Sequence, residues 1–577
     1  MGRLLVCSEK RDYDRISSFI NGFTKSATGE GNFGHYSTYQ KLRIPTKNCF
    51  CDGDNYAIGV GTFVYKGQKD ADALKHILQD WNEDMHIRSD IIGSYCVGIY
   101  KDGIFSLFVD ESGTYKLYYY LEPRTHRFAA TTTMYHLAKG LSCRVDDFGF
   151  LGDVFMCNID GHTMCPEIQW LTGDQVLRCQ DGVWGKKAVT YSDDIDIKLQ
   201  GGFCKYLKSK YRDLPNVFQQ SATFLTGGQD SRITLSLMLS LGMKPVCCYG
   251  IGDSTITNTK NEDLQCVRRL AAQHDLPVYL MDWKDSDFNN KADYLNKYGE
   301  QYSIYGMNKN FFLEFEKRMQ GEFFTAGYLG EAFRAVETIS EYPREKYTLS
   351  QYIDEIYLAP YKNVIKDNAF SAYRGYIYQQ YYSYCERHNI DIEHLTKDDF
   401  QMLNSIYRLN WDMRINQTVN MFFYSFPLFG DRKALEYVNR IPYQHKINSK
   451  FQMECIEEFC APTLEIPFFS HIKPKTYDPN THELTETQLV VCLKEKVKKH
   501  IGNPTIYRIF RYLYYILRGD TKGLREVCLR YNKSSDIDEL VNEEWVRDLL
   551  CQNVSSIPIR DAIGIHLNAF MRESIEK

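Results

Sequence analysis

Hydrophobic and polar positions follow different patterns in the two parts of the chain. In the first part, apolar and aromatic residues gather in short runs that are typical of β-strands. The clearest of these runs are Asn55–Tyr65, Gly93–Tyr100 and Gly103–Val109. One amphipathic helix is predicted between them, from Ala71 to Trp81. We therefore predict that residues 1–192 form a β-rich domain of α+β type.

The second part alternates between strand-like and helix-like segments after a polar connector at Asp193–Ile197. A helix is predicted first, at about Lys198–Arg212. The following segments are predicted as strand, helix, strand, helix and strand, at Ala222–Leu225, Ser231–Gly242, Lys244–Tyr249, Asn261–His274 and Leu276–Asp282. This order is typical of a doubly wound parallel sheet, which binds ligands at the carboxyl ends of its strands.

A glycine turn, Thr226-Gly227-Gly228, joins the first of these strands to its helix. Free backbone N–H groups and the helix dipole make such a helix start a site for anions, and glycine lets a phosphate approach the backbone closely. Asp230 lies beside the turn, which suits a phosphate if a divalent cation lies between them. The alternative is an ordinary turn, with Asp230 as the N-cap of the helix.

No Walker lysine follows the glycines, so a kinase or GTPase loop is excluded. The segment Leu225–Arg232 instead resembles SGGxDS, the pyrophosphate loop of the asparagine synthetase family, with Thr226 in place of the first serine. The resemblance implies ATP and Mg²⁺ as cofactors, with Asp230 as the metal ligand. It also implies two further groups of residues, which hold pyrophosphate (Thr226, Gly227, Gly228 and Ser231) and contact the nucleoside (Leu225 and Tyr249).

A second segment, Glu322–Arg334, resembles the SGEGxDELFGGY motif of the same family. Thr325, Glu331 and Phe333 match the motif, and the resemblance implies that Ala326 and Gly327 bind the nucleotide and that Glu331 is catalytic. Gly327 replaces a glutamate of the motif, and Gly330 replaces a metal-binding aspartate. Glu331 and Glu337 are the candidates to compensate for the missing acid. The alternative is a plain strand-to-helix turn that is capped by Glu331.

A third segment, Ile466–Lys475, resembles the family's LP…RxK loop, and places Lys473 on the arginine and Lys475 on the lysine. The resemblance implies that Lys475 stabilises the charge that develops when an amine attacks an acyl-adenylate. The alternative is an ordinary surface lysine. Pro427, Leu428, Phe429 and Asp431 also match a family segment. We predict a synthetase-like domain at 198–577, with its core at 215–480, a helical insertion at about 340–400 and a helical region at 480–577.

The first domain resembles a class II glutaminase of the Ntn type. Gly93–Tyr100 and Phe108–Tyr119 resemble the family's GDFA…RDxxGxKPLYY region, Phe128–Thr133 the next strand, and Leu171–Val176 the exit strand. In such domains the nucleophile is a cysteine at residue 2 whose own amine serves as base. Here that residue is Gly2, so we expect a glutaminase shell without its chemistry. Gly29–Gly34 matches GxGxxG but is predicted to be an ordinary loop, because it does not follow a strand.

Composition narrows the function classes further. A net charge of −5 and a pI near 6.3 give no electrostatic case for binding nucleic acid. No apolar run is long enough to span a membrane. The scattered cysteines favour a cytoplasmic protein with reduced thiols. The 18 cysteines include no C-x₂-C pair, so they indicate neither a zinc site nor a disulfide framework. A homodimer is compatible with the sequence.

We therefore expect an α/β chain: a degenerate glutaminase-like domain followed by a doubly wound ATP-pyrophosphatase domain with helical insertions. The expected activity is that of an ATP-dependent ligase, which adenylates a small-molecule, glycan or peptide carboxylate for attack by ammonia or an amine. Two alternatives stay open. One is a non-catalytic nucleotide-binding scaffold, and the other is a pyrophosphate-loop enzyme that acts on tRNA, which the pair Cys247-Cys248 would favour.

Overall fold

The computed structural model of the chain describes residues 2–82, 86–155, 158–189, 191, 202–251, 260–282, 298, 314–335, 344–359, 365–470, 473–486, 572, 575 and 576. The predicted connector Asp193–Ile197, Glu337 and most of the predicted C-terminal helical region lie outside the described residues.

The first part of the chain forms two antiparallel sheets. Its elements are β1 Leu4–Cys7, α1 Lys10–Ser17, β2 Lys25–Gly31, β3 Gly34–Tyr39, β4 Cys49–Asp52, β5 Asn55–Tyr65, β6 Gln68–Lys69, α2 Asp70–Asp80, the 3₁₀-helix His86–Asp90, β7 Ile92–Lys101, β8 Ile104–Val109, β9 Tyr118–Leu121, β10 Phe128–Thr131, α3 Met134–Leu141, α4 Asp147–Val154, β11 Ile168–Trp170, β12 Gln175–Gln180 and β13 Val183–Ala188. One sheet has the order β11-β9-β10-β1-β3-β2, and the other has the order β13-β12-β8-β7-β5-β4, with β6 beside β5.

Alternating side chains hold these two sheets face to face. In β5, Ile58 and Val60 belong to the core between the sheets, while their neighbour Ala57 belongs to the core under α2. Strand β7 divides in the same way, because Cys96 faces the other sheet and Val97 faces the helix. This period of two places an apolar layer on each face of the sheet.

Two predictions in this part need correction. Gly29–Gly34 is not an ordinary loop, because β2 and β3 run through it and form a hairpin that turns at Asn32-Phe33. The predicted exit strand at Leu171–Val176 begins later, at Gln175, because Thr172 and Asp174 close a turn before it. The other strands and the helix α2 lie within three residues of their predicted bounds.

The second part contains a parallel sheet. Its elements are α5 Phe203–Lys210, α6 Leu214–Val217, β14 Ser221–Phe224, α7 Gln229–Ser240, β15 Val246–Ile251, α8 Lys260–Gln273, β16 Val278–Asp282, the π-helix Glu314–Arg318, β17 Phe323–Thr325, the 3₁₀-helix Gly330–Phe333, α9 Leu349–Gln351, the π-helix Tyr352–Tyr357, α10 Asp367–Arg387, α11 Lys397–Asn420, β18 Tyr424–Ser425, α12 Arg432–Arg440, α13 Tyr443–Lys446, the 3₁₀-helix Ile447–Ser449, α14 Lys450–Cys460, the 3₁₀-helix Ala461–Glu465, β19 Phe468–Ser470, β20 Lys473–Asp478 and β21 Glu483–Glu486.

The parallel sheet has five strands in the order β16-β15-β14-β17-β18. Every neighbouring pair in it is parallel. From β14 the chain proceeds to β15 and β16 on one side, and then returns to β17 and β18 on the other. The carboxyl ends of β14 and β17 therefore border the point where the direction of winding reverses, which is where open α/β sheets bind ligands.

The prediction of a mixed α/β chain is confirmed, since antiparallel sheets and a parallel sheet are both present. The predicted helical region from 480 onward needs correction at its start. Residues Glu483–Glu486 form β21, which pairs with β20 in a small three-stranded sheet that also includes β19. Among the described helices, none has the length and apolar character needed to cross a bilayer.

Helix α11 joins the two parts of the chain through buried amide side chains. Asn420 Oδ1 accepts hydrogen bonds from Lys41 Nζ at 2.8 Å and from Thr62 Oγ1 at 2.7 Å. Gln417 Oε1 accepts the N–H of Lys116 at 2.8 Å, and Gln417 Nε2 donates to the carbonyl of the same residue at 2.9 Å. These bonds connect residues that are 301 to 379 positions apart, so the antiparallel sheets and the helix fix each other's position.

Candidate functional site

The residues predicted to bind a nucleotide lie at the carboxyl ends of β14, β15 and β17. The side chain of Leu225 is fully buried, and its N–H donates to the carbonyl of Cys248 at 3.0 Å. Tyr249 is only 4% exposed, and its hydroxyl donates to Asp263 Oδ2 at 3.0 Å. Burial and the neighbouring Asp263 raise the pKa of this hydroxyl. Both predicted nucleoside contacts are therefore buried side chains of the sheet's core in this structure.

Hydroxyl groups of Thr226 and Ser231 accept hydrogen bonds from the backbone of the glycine turn. The N–H of Thr226 donates to Ser231 Oγ at 3.0 Å, and the two hydroxyls are also 3.0 Å apart. The N–H of Gly228 donates to Thr226 Oγ1 at 3.2 Å. The replacement of the first serine by threonine thus keeps a hydroxyl at the centre of the turn.

A carboxylate bonds to the next amide of the turn. The N–H of Gly227 donates to Asp263 Oδ1 at 2.5 Å, from the first turn of α8. An N–H that bonds a carboxylate in this way is suited to an anionic oxygen. Asp263 could not be recognised from the sequence, because its approach depends on how α8 packs beside the turn.

The alternative interpretation, in which Asp230 is the N-cap of α7, is wrong. The N-cap is Gly228, and Asp230 is the second residue of the helix. Its carboxylate instead accepts two parallel hydrogen bonds from Arg334, with Nε–Oδ1 and Nη2–Oδ2 distances of 3.1 Å each. Gln452 Nε2 donates to the same Oδ1 at 3.0 Å. Neither Arg334 nor Gln452 was predicted from the sequence to have a role at this site.

Gly327 and Gly330 lie against the start of α7. A Cβ on Gly327 would come within 2.6 Å of the Asp230 carbonyl carbon and of the Ser231 nitrogen. A Cβ on Gly330 would lie 2.8 Å from the Cβ of Asp230. Acidic side chains do not fit at either position in this structure. The two glycines therefore permit the close contact that brings Arg334 to Asp230.

Two other predicted site residues of the second segment, Ala326 and Glu331, lie near the contact between Arg334 and Asp230. The carbonyl of Ala326 accepts a hydrogen bond from Thr234 Oγ1 at 3.2 Å, which connects the segment to α7. Glu331 is half-buried, and its Oε1 lies 3.9 Å from Arg334 Nη2. Glu331 thus lies beside the ion pair of Arg334 and Asp230.

Strand β19 brings the third predicted segment to the glycine turn. The N–H of Phe469 donates to the carbonyl of Gly227 at 2.9 Å. In the small sheet, Phe468 of β19 is paired with Lys475 of β20. Lys475 is half-buried and lies one strand away from the strand that contacts the turn.

A buried arginine holds this strand in place. Arg232 is fully buried, and burial lowers its pKa to about 10. Its guanidinium lies 3.6 Å from the centre of the Phe468 ring. It also donates to several backbone carbonyls, those of Gly227, Thr463, Ile466 and Pro467. The residue that directly follows the SGGxDS-like motif is therefore structural, and it links the first segment to the third.

The donor set around Asp230 does not fit a protein-bound magnesium ion. Magnesium requires near-octahedral oxygen ligands. The carboxylate of Asp230 already accepts three hydrogen bonds, and a glycine occupies position 330 beside it. Within the described ranges, no three His, Cys, Asp or Glu side chains converge as a metal-binding group.

Position 2 is enclosed by backbone. A Cβ on Gly2 would overlap the carbonyl oxygen of Tyr39 and lie 2.7 Å from Asn48 Nδ2. Asn48 Nδ2 itself donates to that carbonyl at 2.7 Å. The neighbouring Arg3 is fully buried, and its guanidinium lies 5.0 Å from the centre of the Phe23 ring. No side chain, and therefore no thiol, fits at this position.

The described residues define a mixed α/β protein whose candidate site lies at the edge of a five-stranded parallel sheet. No family model and no curated protein matches the chain. Among solved structures, the chain is similar to glutamine phosphoribosylpyrophosphate amidotransferase from B. subtilis complexed with ADP and GMP, with 8% sequence identity and a TM-score of 0.22. That similarity covers 49% of this chain and 66% of the amidotransferase. A score this low identifies neither a family nor a function.

Proposed function

We propose that the chain is an ATP-dependent amide-forming ligase of the asparagine synthetase type, with a doubly wound synthetase domain behind a glutaminase-like shell. One observation carries the proposal. Three segments that are distant in sequence, Leu225–Arg232, Glu322–Arg334 and Ile466–Lys475, meet at one edge of the parallel sheet. These are the segments that resemble the nucleotide-binding and catalytic motifs of that family.

The turn and the helix start are suited to the phosphates of ATP. The first N–H groups of helix α7 and the positive end of its dipole face the turn, as at any helix N-terminus. The amide of Gly227 bonds the carboxylate of Asp263 in this structure. A phosphate oxygen bound there would replace that carboxylate, because both are anionic acceptors of similar geometry. Thr226, Gly228 and Ser231 supply the neighbouring donors.

The proposed reaction has two steps. A substrate carboxylate attacks the α-phosphorus of ATP, and pyrophosphate leaves. Ammonia or an amine then attacks the acyl carbon of the adenylate, loses a proton and displaces AMP. Lys475 is proposed to stabilise the oxyanion of the second step, and Glu331, which lies beside Arg334, is the candidate acid or base. The nitrogen source is free ammonia or an amine, because position 2 has no room for a thiol.

Replacing Asp230 by alanine is expected to lower the exchange of labelled pyrophosphate into ATP by about 10²-fold, because Arg334 loses the carboxylate that positions its guanidinium at the phosphates. Exchange should be measured with a panel of small-molecule, uronate and peptide carboxylates, on protein shown to be folded by circular dichroism. Asp14→Ala is a suitable control, because Asp14 belongs to an exposed pair with Lys10. Unchanged exchange in the folded Asp230→Ala variant would contradict the proposed nucleotide site.

The proposal also predicts that the protein does not hydrolyse glutamine. Gly2→Cys should not create this activity and should lower the melting temperature, because the new side chain overlaps backbone atoms. Glutamate release from glutamine and a thermal melt measure the two outcomes. Glutamate release at the roughly 1–10³ s⁻¹ of ordinary enzymes, from either protein, would refute the prediction.

A nucleotide-binding scaffold is the second candidate function. Gly327 and Gly330 favour it, because acidic side chains do not fit at these two positions beside Asp230. A scaffold would bind ATP without exchanging pyrophosphate for any carboxylate. The same binding and exchange measurements on the unaltered chain therefore distinguish the two functions.

A further inference from the structure

We propose that Arg334 supplies the positive charge that a divalent cation would otherwise provide at this site, so that the protein binds nucleotide phosphates without a protein-bound metal. This inference rests on the proposed function, since it concerns the same phosphate site. It follows from the pairing of Asp230, from the space around it, and from the residues that hold Arg334.

Asp230 places a negative charge at the proposed phosphate site. Its carboxylate lies in the first turn of α7, directly after the glycine turn. A carboxylate beside a bound phosphate is repulsive unless a cation neutralises it. In the described structure that cation is the guanidinium of Arg334, which bonds both carboxylate oxygens at 3.1 Å. This fork geometry is the one that arginine uses for carboxylates and phosphates alike.

The space beside Asp230 depends on the residue at position 330. Glycine at 330 removes the side chain that would otherwise lie between Asp230 and the second segment. The side chains of Arg334 and Asp230 remain 21% and 26% exposed. The ion pair is therefore partly exposed to solvent, and a nucleotide bound at the turn would place its phosphate chain beside it. A guanidinium there can bond a phosphate while it remains paired with Asp230, because it carries five N–H donors.

Buried side chains and backbone groups hold the ion pair of Arg334 and Asp230 in place. Gln452 is fully buried, and its Nε2 donates both to Asp230 Oδ1 at 3.0 Å and to the carbonyl of Gly330 at 3.1 Å. Gln401 Nε2 donates to the carbonyl of Arg334 at 3.0 Å. The N–H of Ala335 donates to the carbonyl of Lys446 at 2.9 Å. Buried side chains and backbone of α11, α13 and α14 thus fix the segment that carries the guanidinium.

The experiment compares the binding of ATP and of inorganic pyrophosphate to the full chain by calorimetry, in excess EDTA and in excess magnesium. We expect the unaltered protein to bind both probes in EDTA, with dissociation constants within about threefold of those in magnesium. Arg334→Gln should weaken binding in EDTA by about 10- to 100-fold, the range for losing a charge-assisted hydrogen bond. Arg334→Lys should recover part of the loss, since it restores the charge without the planar fork.

Arg374→Gln is the matched control. Arg374 also forms a two-bonded pair with a carboxylate, that of Asp354, but outside the candidate site, and its loss should leave binding unchanged. Circular dichroism establishes whether each variant is folded. If Arg334→Gln does not fold, the loss of binding in EDTA is measured with Arg334→Lys instead.

The outcomes separate this inference from the proposed function. Binding that disappears in EDTA, or an Arg334→Gln variant that binds like the unaltered protein in EDTA, would overturn the role of Arg334 and leave the ligase proposal intact. No binding of ATP in either buffer would overturn the proposed function itself. Binding in EDTA that depends on Arg334 and not on Arg374 supports the inference.

Discussion

Replacing Arg414 by alanine is expected to lower the free energy of unfolding by about 3–5 kcal/mol, because it removes the guanidinium that neutralises a buried carboxylate. Arg414 lies on α11, and its Nη2 bonds Asp153 Oδ1 at 3.0 Å, at the end of α4. The two side chains are 5% and 2% exposed. This pair connects helix α11 of the second part to helix α4 of the first part, so its loss should weaken the contact between the two parts.

Urea denaturation of Arg414→Ala and of the unaltered chain measures the difference. The control is Arg374→Ala, whose pair with Asp354 is much more exposed and should contribute about 0–1 kcal/mol. A double variant, Asp153→Ala with Arg414→Ala, should lose less than the sum of the two single variants, because no unpaired charge remains. A loss for Arg414→Ala as small as that of Arg374→Ala would contradict a structural role for the buried pair.

The parallel sheet could be predicted from the sequence because its signals are local. Ser221–Phe224 is a short apolar strand, Gly227-Gly228 breaks it, and apolar residues at helical spacing follow. Each signal depends on a few consecutive residues. The same holds for β5, which the structure places at the predicted Asn55–Tyr65.

The partners of the candidate site could not be predicted in this way. Arg334 is 104 positions from Asp230, and Gln452 is 222 positions from it. Their hydrogen bonds depend on how β17 and α14 pack against α7, which no local pattern encodes. The glycines at 327 and 330 were visible as departures from a motif, but only the structure shows that they admit close contact with the helix.

Helix α11 illustrates the same limit. Asn416, Gln417 and Asn420 are polar, and a surface position would be the usual expectation for them. All three are almost fully buried, because their amide groups find partners on β5, on β7 and in the segments after β3 and β8. Burial of polar side chains is favourable only when every group is bonded. The sequence cannot show these bonds before the two parts of the chain are brought together.

Replacing Lys475 by alanine is expected to slow amide formation by about 10²–10³-fold, while pyrophosphate exchange changes much less. Lys475 lies on β20 and is paired with Phe468 of β19, the strand that contacts Gly227. Amine attack on an acyl-adenylate creates a tetrahedral oxyanion, and a positioned ammonium stabilises that charge. Because the charge develops only after adenylation, the first step should be nearly unaffected.

Both half-reactions should be measured in one preparation, as labelled pyrophosphate exchange and as AMP release that depends on ammonia or an amine. Lys66→Ala is the control, because Lys66 is exposed and pairs with Asp80 far from the site. Lys475→Arg should recover only part of the rate, since a planar guanidinium does not replace a compact ammonium. Equal losses in both steps would make Lys475 a contact to ATP, and no loss in either would make it a surface lysine. Either result would refute its proposed role in the second step.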